Sequence, residues 1–215
     1  MNIITDERDI LIKRLVLGPY ETNCYIAVSK KTRDSLIVDA PASASIIIDN
    51  LTDTNVKYIL LTHDHYDHTG VIVSLRSRLK APLATHEYSS FQLKTPPEIL
   101  LQGSETLTLG KLNIEVIYTP GHTRGSLCFR AGKYLFGGDT IFPGGPGRTE
   151  MPEDFEQILA SITQKLYRLP DDTIILPGHG DSTTIKKSKE EYAVFAAKPH
   201  GALYGDVTWL SNPAL

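Results

Sequence analysis

The sequence contains little cysteine. Its 215 residues include only two, Cys24 and Cys128, which are too few for a disulfide framework and would remain thiols in a reducing compartment. They lie far apart and outside the histidine-rich motifs, so metal ligation by thiolates is not predicted either. Any metal site in this chain would therefore be built from histidines and carboxylates.

The chain also lacks long apolar runs and basic blocks. No run approaches the roughly 20 apolar residues that a membrane-spanning helix needs, and the N-terminus, MNIITDERDILIKR, mixes acids and bases unlike a signal peptide. The net charge is −3, and no cluster of lysines and arginines marks a nucleic-acid or membrane surface. These absences predict a cytoplasmic protein without a nucleic-acid or membrane partner. They leave the oligomeric state open.

The composition is that of an ordinary globular protein. Hydrophobic residues make up 41% of the chain and charged residues 22%, and the length is sufficient to bury a sizeable core. We therefore expect one domain over residues 1–215. Its C-terminal tail, from about residue 199, has little periodicity and is expected to pack across the body.

Short β-type runs alternate with helical patterns, and the alternation occurs twice. In the first half, strands are predicted at 12–18, 23–29, 35–40 and 57–62, with helices near 45–51 and 71–80. In the second half, strands are predicted at 105–110, 111–119, 125–130, 133–138 and 172–178, with helices at about 152–169 and 185–196. Strands followed by helices, twice over, indicate two β-sheets packed on each other with helices outside.

Three histidines and two aspartates crowd into the stretch HDHYDH, directly after the apolar run KYILLT. In an extended segment, residues two apart point the same way, so His63 and His65 can aim at one point. If the chain turns at Tyr66, Asp67 and His68 can aim at a second point. Neutral imidazoles and carboxylates suit zinc, iron or manganese. The cluster therefore predicts a metal site, since a dication would hold together groups that otherwise repel.

So short a stretch cannot complete two coordination spheres, and further ligands are expected after other strands. His122 lies in YTPGHTRGS, Asp139 in LFGGDT and His179 in ILPGHGD. Each follows a predicted strand and a glycine, and glycine lets the backbone approach a site closely. The repeated context predicts that all three reach the same site.

These motifs, in this order over residues 20 to 180, resemble the metallo-β-lactamase superfamily of hydrolases. The resemblance rests on HDHYDH, on the PGH segments that end at His122 and His179, and on the GDT segment at Asp139. It implies an α/β fold, the four-layered αβ/βα sandwich, with two packed mixed sheets and outer helices. The site would lie at one edge of the paired sheets.

The resemblance also implies roles for individual residues. The implied ligands are, for the first metal, His63, His65 and His122, for the second metal, Asp67, His68 and His179, and, bridging both, Asp139. Asp39, in the strand end IVDAP, matches an early aspartate that orients a metal-bound histidine. The alternative for Asp39 is a turn residue at the end of a strand.

The chemistry implied by this site is hydrolysis. Two zinc ions, or a mixture of zinc, manganese and iron, would lower the pKa of a shared water towards 7 and supply a metal-bound hydroxide that attacks an activated acyl bond. Asp67 and Asp139 are the predicted catalytic residues, and Asp67 would steer the hydroxide or shuttle its proton. No serine or cysteine nucleophile is required, in keeping with the absence of a G-x-S-x-G motif.

Further segments favour one branch of the superfamily. The stretch GGDTIFPGGPGRTEMPEDF, at 137–155, resembles the glyoxalase II-like hydrolases, particularly a shorter branch with a Gly-Arg-Thr segment, and TNCY at 22–25 resembles their early strand. The segment 180–215 is too short for the helical C-terminal domain with which glyoxalase II proper helps bind glutathione. The resemblance implies a small-molecule substrate, and we predict hydrolysis of a thioester of the hydroxyacylglutathione type, or of an ester or lactone.

Other functions remain open to the sequence. Persulfide dioxygenases share the fold and a Gly-Arg-Thr segment but use one iron, so a mononuclear iron oxidoreductase is the first alternative. A phosphoester hydrolase is the second. RNA processing is disfavoured by the acidic balance, and a non-catalytic binding protein is disfavoured because every ligand is retained.

Four residues near these motifs have weaker interpretations. Arg148, in the Gly-Arg-Thr segment, is a candidate for bidentate pairing with a substrate carboxylate, and a structural salt bridge is the alternative. His86 and Tyr88, in ATHEYSS, could line the mouth of the site, although surface packing is favoured. His200, in the tail, has no predicted role.

Overall fold

The structure, a computed structural model, describes residues 1–210 of the chain. Its first sheet has seven strands, which in chain order are β1 (Asn2–Asp6), β2 (Ile10–Leu17), β3 (Thr22–Ser29), β4 (Asp34–Val38), β5 (Asn55–Leu60), β6 (Leu83–His86) and β7 (Ile99–Leu101). Neighbours in the chain are neighbours in the sheet. Pairing is antiparallel from β1 to β4 and parallel from β4 to β7, so the sheet is mixed.

The remaining strands form a second sheet and a short ribbon. They are β8 (Thr106–Leu109), β9 (Leu112–Tyr118), β10 (Leu127–Ala131), β11 (Tyr134–Gly138), β12 (Ile141–Phe142), β13 (Gly145–Pro146), β14 (Ile174–Pro177) and β15 (Thr183–Thr184). The second sheet has the order β15-β14-β11-β10-β9-β8, and β12 pairs with β13. Because β11 and β14 are parallel, their carboxyl ends lie at one edge, where β11 runs directly into Asp139.

Six α-helices lie between these strands in the described residues. They are α1 (Ala44–Asp49), α2 (Tyr66–Thr69), α3 (Ile72–Leu79), α4 (Glu87–Ser90), α5 (Pro152–Gln164) and α6 (Ile185–Ala196). None of the helices within residues 1–210 is both long and apolar enough to cross a membrane.

Three apolar clusters define four layers. The central cluster lies between the sheets and includes Tyr25 and Phe129. A second cluster packs α1 and α3 on the outer face of the first sheet, through Ile47 and Leu75. A third packs α5 and α6 on the outer face of the second sheet, with Ile158 among its buried residues. The predicted αβ/βα sandwich of two packed mixed sheets is therefore confirmed.

Strand β3 shows how the sequence generates these layers. All of its residues are buried, and successive side chains of a strand point to opposite faces. Tyr25 and Ala27 accordingly belong to the central cluster, while Cys24 and Ile26 belong to the outer cluster under α1 and α3. A continuous apolar run is what a strand covered on both faces requires.

The structure corrects three sequence predictions. The helix expected to run to Leu169 ends at Gln164 and continues as a 3-10 turn, Leu166–Arg168. Leu169 itself is extended, because a residue before proline, here Pro170, is disfavoured in the α conformation. The strand expected at 35–40 ends at Val38, since Asp39 has φ of 62°. Strands β1, β6 and β7 were not predicted, and β6 and β7 have only four and three residues.

The C-terminal tail lies on the outer helices as far as the structure describes it. Val207 and Trp209 are buried in the cluster around α5 and α6, and Gly205 forms a β-bridge with Thr149. His200 stacks on Phe195 with ring centroids 3.8 Å apart. The part of the predicted tail at 211–215 lies outside the described residues.

Candidate metal centre

All of the predicted ligand residues meet at one edge of the sandwich. The stretch that begins at His63 follows β5, and His122 follows β9. Asp139 comes directly after β11, and His179 comes two residues after β14 ends at Pro177. Helix α2 begins at Tyr66, where the sequence predicted a turn, so the two halves of HDHYDH face two different points.

The first group consists of His63, His65 and His122. The Nδ1 atom of His65 lies 3.2 Å from Nε2 of His63 and 3.0 Å from Nε2 of His122. Their rings meet edge to face rather than in a parallel stack. Three ring nitrogens thus converge on one point.

The second group consists of Asp67, His68 and His179. The Oδ2 atom of Asp67 lies 3.1 Å from Nε2 of His179 and 3.5 Å from Nε2 of His68. His68 is fully buried, whereas the other two side chains are partly accessible. This group offers one carboxylate oxygen and two ring nitrogens.

Asp139 lies between the two groups. Its Oδ2 atom is 3.7 Å from Nε2 of His122 in the first group and 3.5 Å from Nε2 of His179 in the second. Its Oδ1 atom is 3.4 Å from Nε2 of His68. Asp139 is therefore placed to contact ions in both groups.

Hydrogen bonds fix the orientation of two histidine rings. Nδ1 of His122 donates to the backbone carbonyl of Arg148 at 2.8 Å, and Nδ1 of His179 donates to the carbonyl of Tyr20 at 3.0 Å. A carbonyl accepts only, so the Nδ1 atoms carry the hydrogens. In the neutral ring, Nε2 then keeps its lone pair for a metal.

A buried network around Asp39 orients two more rings. Asp39 Oδ2 accepts from Nδ1 of His68 at 2.8 Å and from the hydroxyl of Thr62 at 2.8 Å. The same hydroxyl lies 3.0 Å from Nδ1 of His63. Because Thr62 donates to Asp39, it accepts from His63, and the Nε2 atoms of both histidines face the centre.

The electrostatics of the cluster favour a bound cation. Burial holds the pKa of His63 well below its usual value, so this ring is neutral. Burial by itself would lower the pKa of His68, but the charges of Asp39 and Asp139 raise it to about 10. Burial by itself would raise the pKa of Asp139, but His68 lowers it. Without metal, His68 therefore carries a proton that metal binding must displace.

The residues present fit divalent metal ions. Ligands about 2.0–2.1 Å from a tetrahedral zinc are about 3.3 Å from one another, and the contacts within the two groups span 3.0–3.5 Å. Nε2 of His68 and Oδ1 of Asp139 are buried without a hydrogen-bond partner within the described residues, as expected of atoms that face a cation. The donor set of imidazoles and carboxylates suits zinc, manganese or iron.

Strand β3 secures the loop that carries His179, a role that the sequence did not reveal. The backbone N–H of Asn23 donates to the carbonyl of Gly178 at 2.7 Å, and the Asn23 side chain donates to the carbonyl of Pro177 at 2.9 Å. The hydroxyl of Thr22 donates to Oδ2 of Asp67 at 3.0 Å. The segment TNCY thus connects both halves of the second group.

The weaker candidates have different positions. Arg148 forms exposed ion pairs with Glu150 at 3.2 Å and Asp206 at 2.9 Å, so its charge is already matched, and only its backbone carbonyl contacts a ligand, His122. His86 is buried 4.4 Å from the ring of Tyr118. Tyr88, by contrast, lines the cavity beside the centre.

A cavity of about 930 Å³ opens next to the first group. His65 and His122 are among its lining residues, so a molecule bound there lies beside the first group. Within residues 1–210 the lining contains threonines but no serine or cysteine. Both cysteines of the chain are buried elsewhere, and burial raises the pKa of each thiol.

Comparison with known proteins identifies the family. The model of the metallo-beta-lactamase superfamily matches residues 17–179. Hydroxyacylglutathione hydrolase GloC of Haemophilus influenzae is 33% identical over 201 residues, with coverage of 83% of this chain and 94% of that protein. The chain belongs to the metallo-beta-lactamase superfamily, as its motifs predicted. The family and this relative support the predicted class, a metal-binding hydrolase.

Solved structures agree with this assignment. The BLEG-1 B3 metallo-beta-lactamase matches with a TM-score of 0.78 and 31% identity over 83% of this chain and 96% of that chain. ETHE1 from Myxococcus xanthus matches with a TM-score of 0.78 and 25% identity over 87% of this chain and 85% of that chain. The fold of this chain is thus similar both to that of a metallo-beta-lactamase and to that of ETHE1.

Proposed function

We propose that this protein is a dinuclear metal-dependent hydrolase that cleaves an activated acyl bond, most readily a thioester of the hydroxyacylglutathione type. The observation that carries the proposal is the pair of ligand groups that share Asp139, beside a cavity of about 930 Å³. The likeness to hydroxyacylglutathione hydrolase GloC supports the thioester. Esters and lactones, whose carbonyl groups are also activated, are the next substrates.

Each ligand has a defined place in this proposal. His63, His65 and His122 would hold one ion, preferably zinc, and Asp67, His68 and His179 would hold the second. Asp139, which lies between the two groups, would contact both ions. The chemistry that such ions would supply is a lowered pKa for bound water and stabilisation of negative charge on a carbonyl oxygen.

In this proposal a carboxylate of the chain, Asp67, accepts the proton of the attacking water. Burial alone would raise the pKa of Asp67, but the His179 hydrogen bond, the charge of His68 and the Thr22 hydroxyl together lower it well below its usual value. Asp67 therefore stays a carboxylate at neutral pH and accepts the proton of the attacking water. Within residues 1–210 the cavity lining contains no serine or cysteine, and in this proposal the nucleophile is water.

Metal content and hydrolysis test this proposal together. Elemental mass spectrometry of the purified full-length chain should find about two zinc ions, or a zinc and manganese mixture, per chain, and thiol release from S-lactoylglutathione should be metal-dependent. His63→Ala and Asp139→Ala should lose both metal and activity. His200→Ala, in the tail, is the matched control. Full activity of either ligand variant would refute the assignment.

A second candidate is a persulfide dioxygenase-like oxidoreductase with one iron. The fold likeness to ETHE1 is as high as that to the β-lactamase, with a TM-score of 0.78 in both cases, so the fold does not separate the two chemistries. The complete second group, Asp67, His68 and His179, favours the dinuclear hydrolase. About one iron per chain and oxygen consumption with glutathione persulfide would instead favour the oxidoreductase.

A further inference from the structure

The outer part of the cavity is apolar and open to solvent. Its rim carries Tyr66 from α2, Val73 from α3 and Phe91 just after α4. These side chains are 79%, 51% and 78% exposed, respectively. Exposed apolar groups beside a reaction centre mark a surface that a ligand covers. The carbon skeleton of a substrate would lie there.

Arg124 is one of two cations in the cavity lining, together with Lys94. The guanidinium carbon of Arg124 lies 3.7 Å from the centroid of the Tyr88 ring, and Nη2 donates to the Tyr88 hydroxyl at 2.8 Å. Within residues 1–210, no carboxylate forms an ion pair with Arg124, whereas Arg130, for example, pairs with Glu115 at 3.0 Å. The charge of Arg124 is therefore available to a ligand.

The surroundings of Arg124 hold it in place. The Tyr118 hydroxyl donates to the Arg124 carbonyl at 2.8 Å. The buried ring of His86 stacks between Tyr118, at 4.4 Å and 7°, and Tyr88, at 5.1 Å and 30°. This stack of three rings supports the guanidinium on one side and the backbone on the other. A preorganised arginine loses less conformational freedom when it binds an anion.

Arg124 lies in the same cavity as part of the candidate metal centre. It comes two residues after the ligand His122, and both residues line the same cavity. A single ligand that fills the cavity can therefore place one group beside Arg124 and another beside His122. Lys94, also in the lining, adds a second positive charge to this outer region.

We propose that Arg124 is a specificity-determining residue that binds a carboxylate of the substrate remote from the scissile carbonyl. The inference rests on the proposed function and names its substrate class: acyl compounds, S-lactoylglutathione among them, that carry a carboxylate remote from the acyl group. The planar guanidinium has free N–H groups at its edge and matches a carboxylate in a bidentate arrangement. Tyr66, Val73 and Phe91 cover the section between the acyl group and the carboxylate.

Paired ligands with free and with methyl-esterified carboxylates test this role. The zinc-reconstituted full-length chain would be assayed with S-lactoylglutathione and with its dimethyl ester, which has the same length but no carboxylate. Binding of S-methylglutathione and its dimethyl ester would be measured by titration calorimetry, a readout that needs no turnover. Arg124→Gln removes the charge, and Arg130→Gln, remote from the cavity on β10, is the matched control.

The expected result is weaker binding of only those ligands that have free carboxylates, which are S-lactoylglutathione and S-methylglutathione. Because hydrogen bonds between charged partners are stronger than neutral ones, Arg124→Gln should raise KM for S-lactoylglutathione and Kd for S-methylglutathione by roughly tenfold or more, with kcat within about twofold. The two esters should be handled as by the unmodified protein, and Arg130→Gln should change nothing. Equal losses on acids and esters, no loss on the acids, or no preference of the unmodified protein for the acids would overturn the inference.

The two readouts separate this inference from the proposed function. If the protein binds S-methylglutathione through Arg124 but hydrolyses no thioester, the proposed function fails and the carboxylate site stands. If both thioesters are hydrolysed and Arg124→Gln does not distinguish them, the hydrolase stands and the carboxylate site fails.

Discussion

Asp39 Oδ2 and His68 Nδ1 lie 2.8 Å apart in the interior of the protein, where both side chains are at most 2% exposed. Asp39 adopts φ of 62° at the end of β4, a conformation uncommon outside glycine. The same residue therefore ends the strand and orients a histidine, and both sequence interpretations describe it. This contact connects the turn after β4 with the second ligand group.

Replacement of Asp39 by Asn should weaken the second metal position. Asp39 accepts hydrogen bonds from the Thr62 backbone, the Thr62 hydroxyl and His68, and an amide replaces one acceptor with a donor. An N–H facing His68 favours the tautomer with the hydrogen on Nε2, where the metal binds. Metal affinity should fall about 10–100-fold, measured by competition with a chelator. Asp49→Asn, on the exposed end of α1, should behave as the unmodified protein; an unchanged affinity in Asp39→Asn would contradict the prediction.

Zinc uptake at pH 7.5 should release protons, including about one from His68. The pKa of His68 in the folded metal-free protein is raised to about 10, so the ring is protonated at this pH. The measurement is calorimetry in buffers with different ionisation enthalpies. Asp39→Asn should release fewer protons, and His200→Gln is the control. A buffer-independent heat of binding would contradict the prediction.

The same raised pKa has consequences for stability. In the metal-free protein, the stabilisation by protonated His68 is fully present below its unfolded-state pKa of about 6.5. It is lost as pH rises through the folded-state value of about 10. Activity of the loaded protein should instead fall below about pH 6, because metal ligation needs neutral imidazoles. Denaturant titrations and a pH–rate profile would measure the two trends, and a rate plateau down to pH 4 would contradict the second.

Gly178→Ala should disrupt the centre through a steric effect. A Cβ atom at this position would lie 2.0 Å from Oδ1 of Asp139 and 2.7 Å from Cε1 of His68. The backbone cannot move away easily, because Gly178 N–H donates to the Gly138 carbonyl at 2.8 Å. Asp139 must therefore shift, and we expect less metal per chain and a large loss of kcat. The control is Gly201→Ala, where a Cβ atom meets nothing within 4 Å; equal metal content in the two variants would refute this account.

Trp209 should contribute strongly to stability. This residue, the only tryptophan of the chain, is 1% exposed and lies 4.9 Å from the ring of Phe195 and 5.3 Å from that of Tyr192. Trp209→Ala should lower the free energy of unfolding by about 3–5 kcal/mol, measured by urea denaturation followed by circular dichroism. Trp209→Phe, which keeps an aromatic ring, should lose less. Equal stability of the two variants would show that the tail does not anchor here.

Arg148 and Arg124 show which properties of the site a sequence motif does not predict. From the sequence, Arg148 is a candidate to bind a substrate carboxylate because it lies in the Gly-Arg-Thr segment that follows Asp139. Its ion pair with Asp206 joins residues 58 positions apart, and such a partner cannot be read from the motif. Arg124 stands within YTPGHTRGS, but its free charge depends on what lies around it. Tyr88 at its side is 36 positions away.

The sequence by itself determined the strand-ending motifs, the family and the ligand residue types, because these depend on neighbours along the chain. HDHYDH needs only an extended stretch and a turn to face two points. The tertiary structure decided which partners orient these side chains, why the glycines before His122, Asp139 and His179 have no room for a side chain, and which groups surround Arg124. Thr22 meets Asp67, and Asp39 meets His68, only because sheet pairing brings separate strand ends to one edge. Packing of distant segments, rather than local spacing, sets the hydrogen bonds and charges of the site.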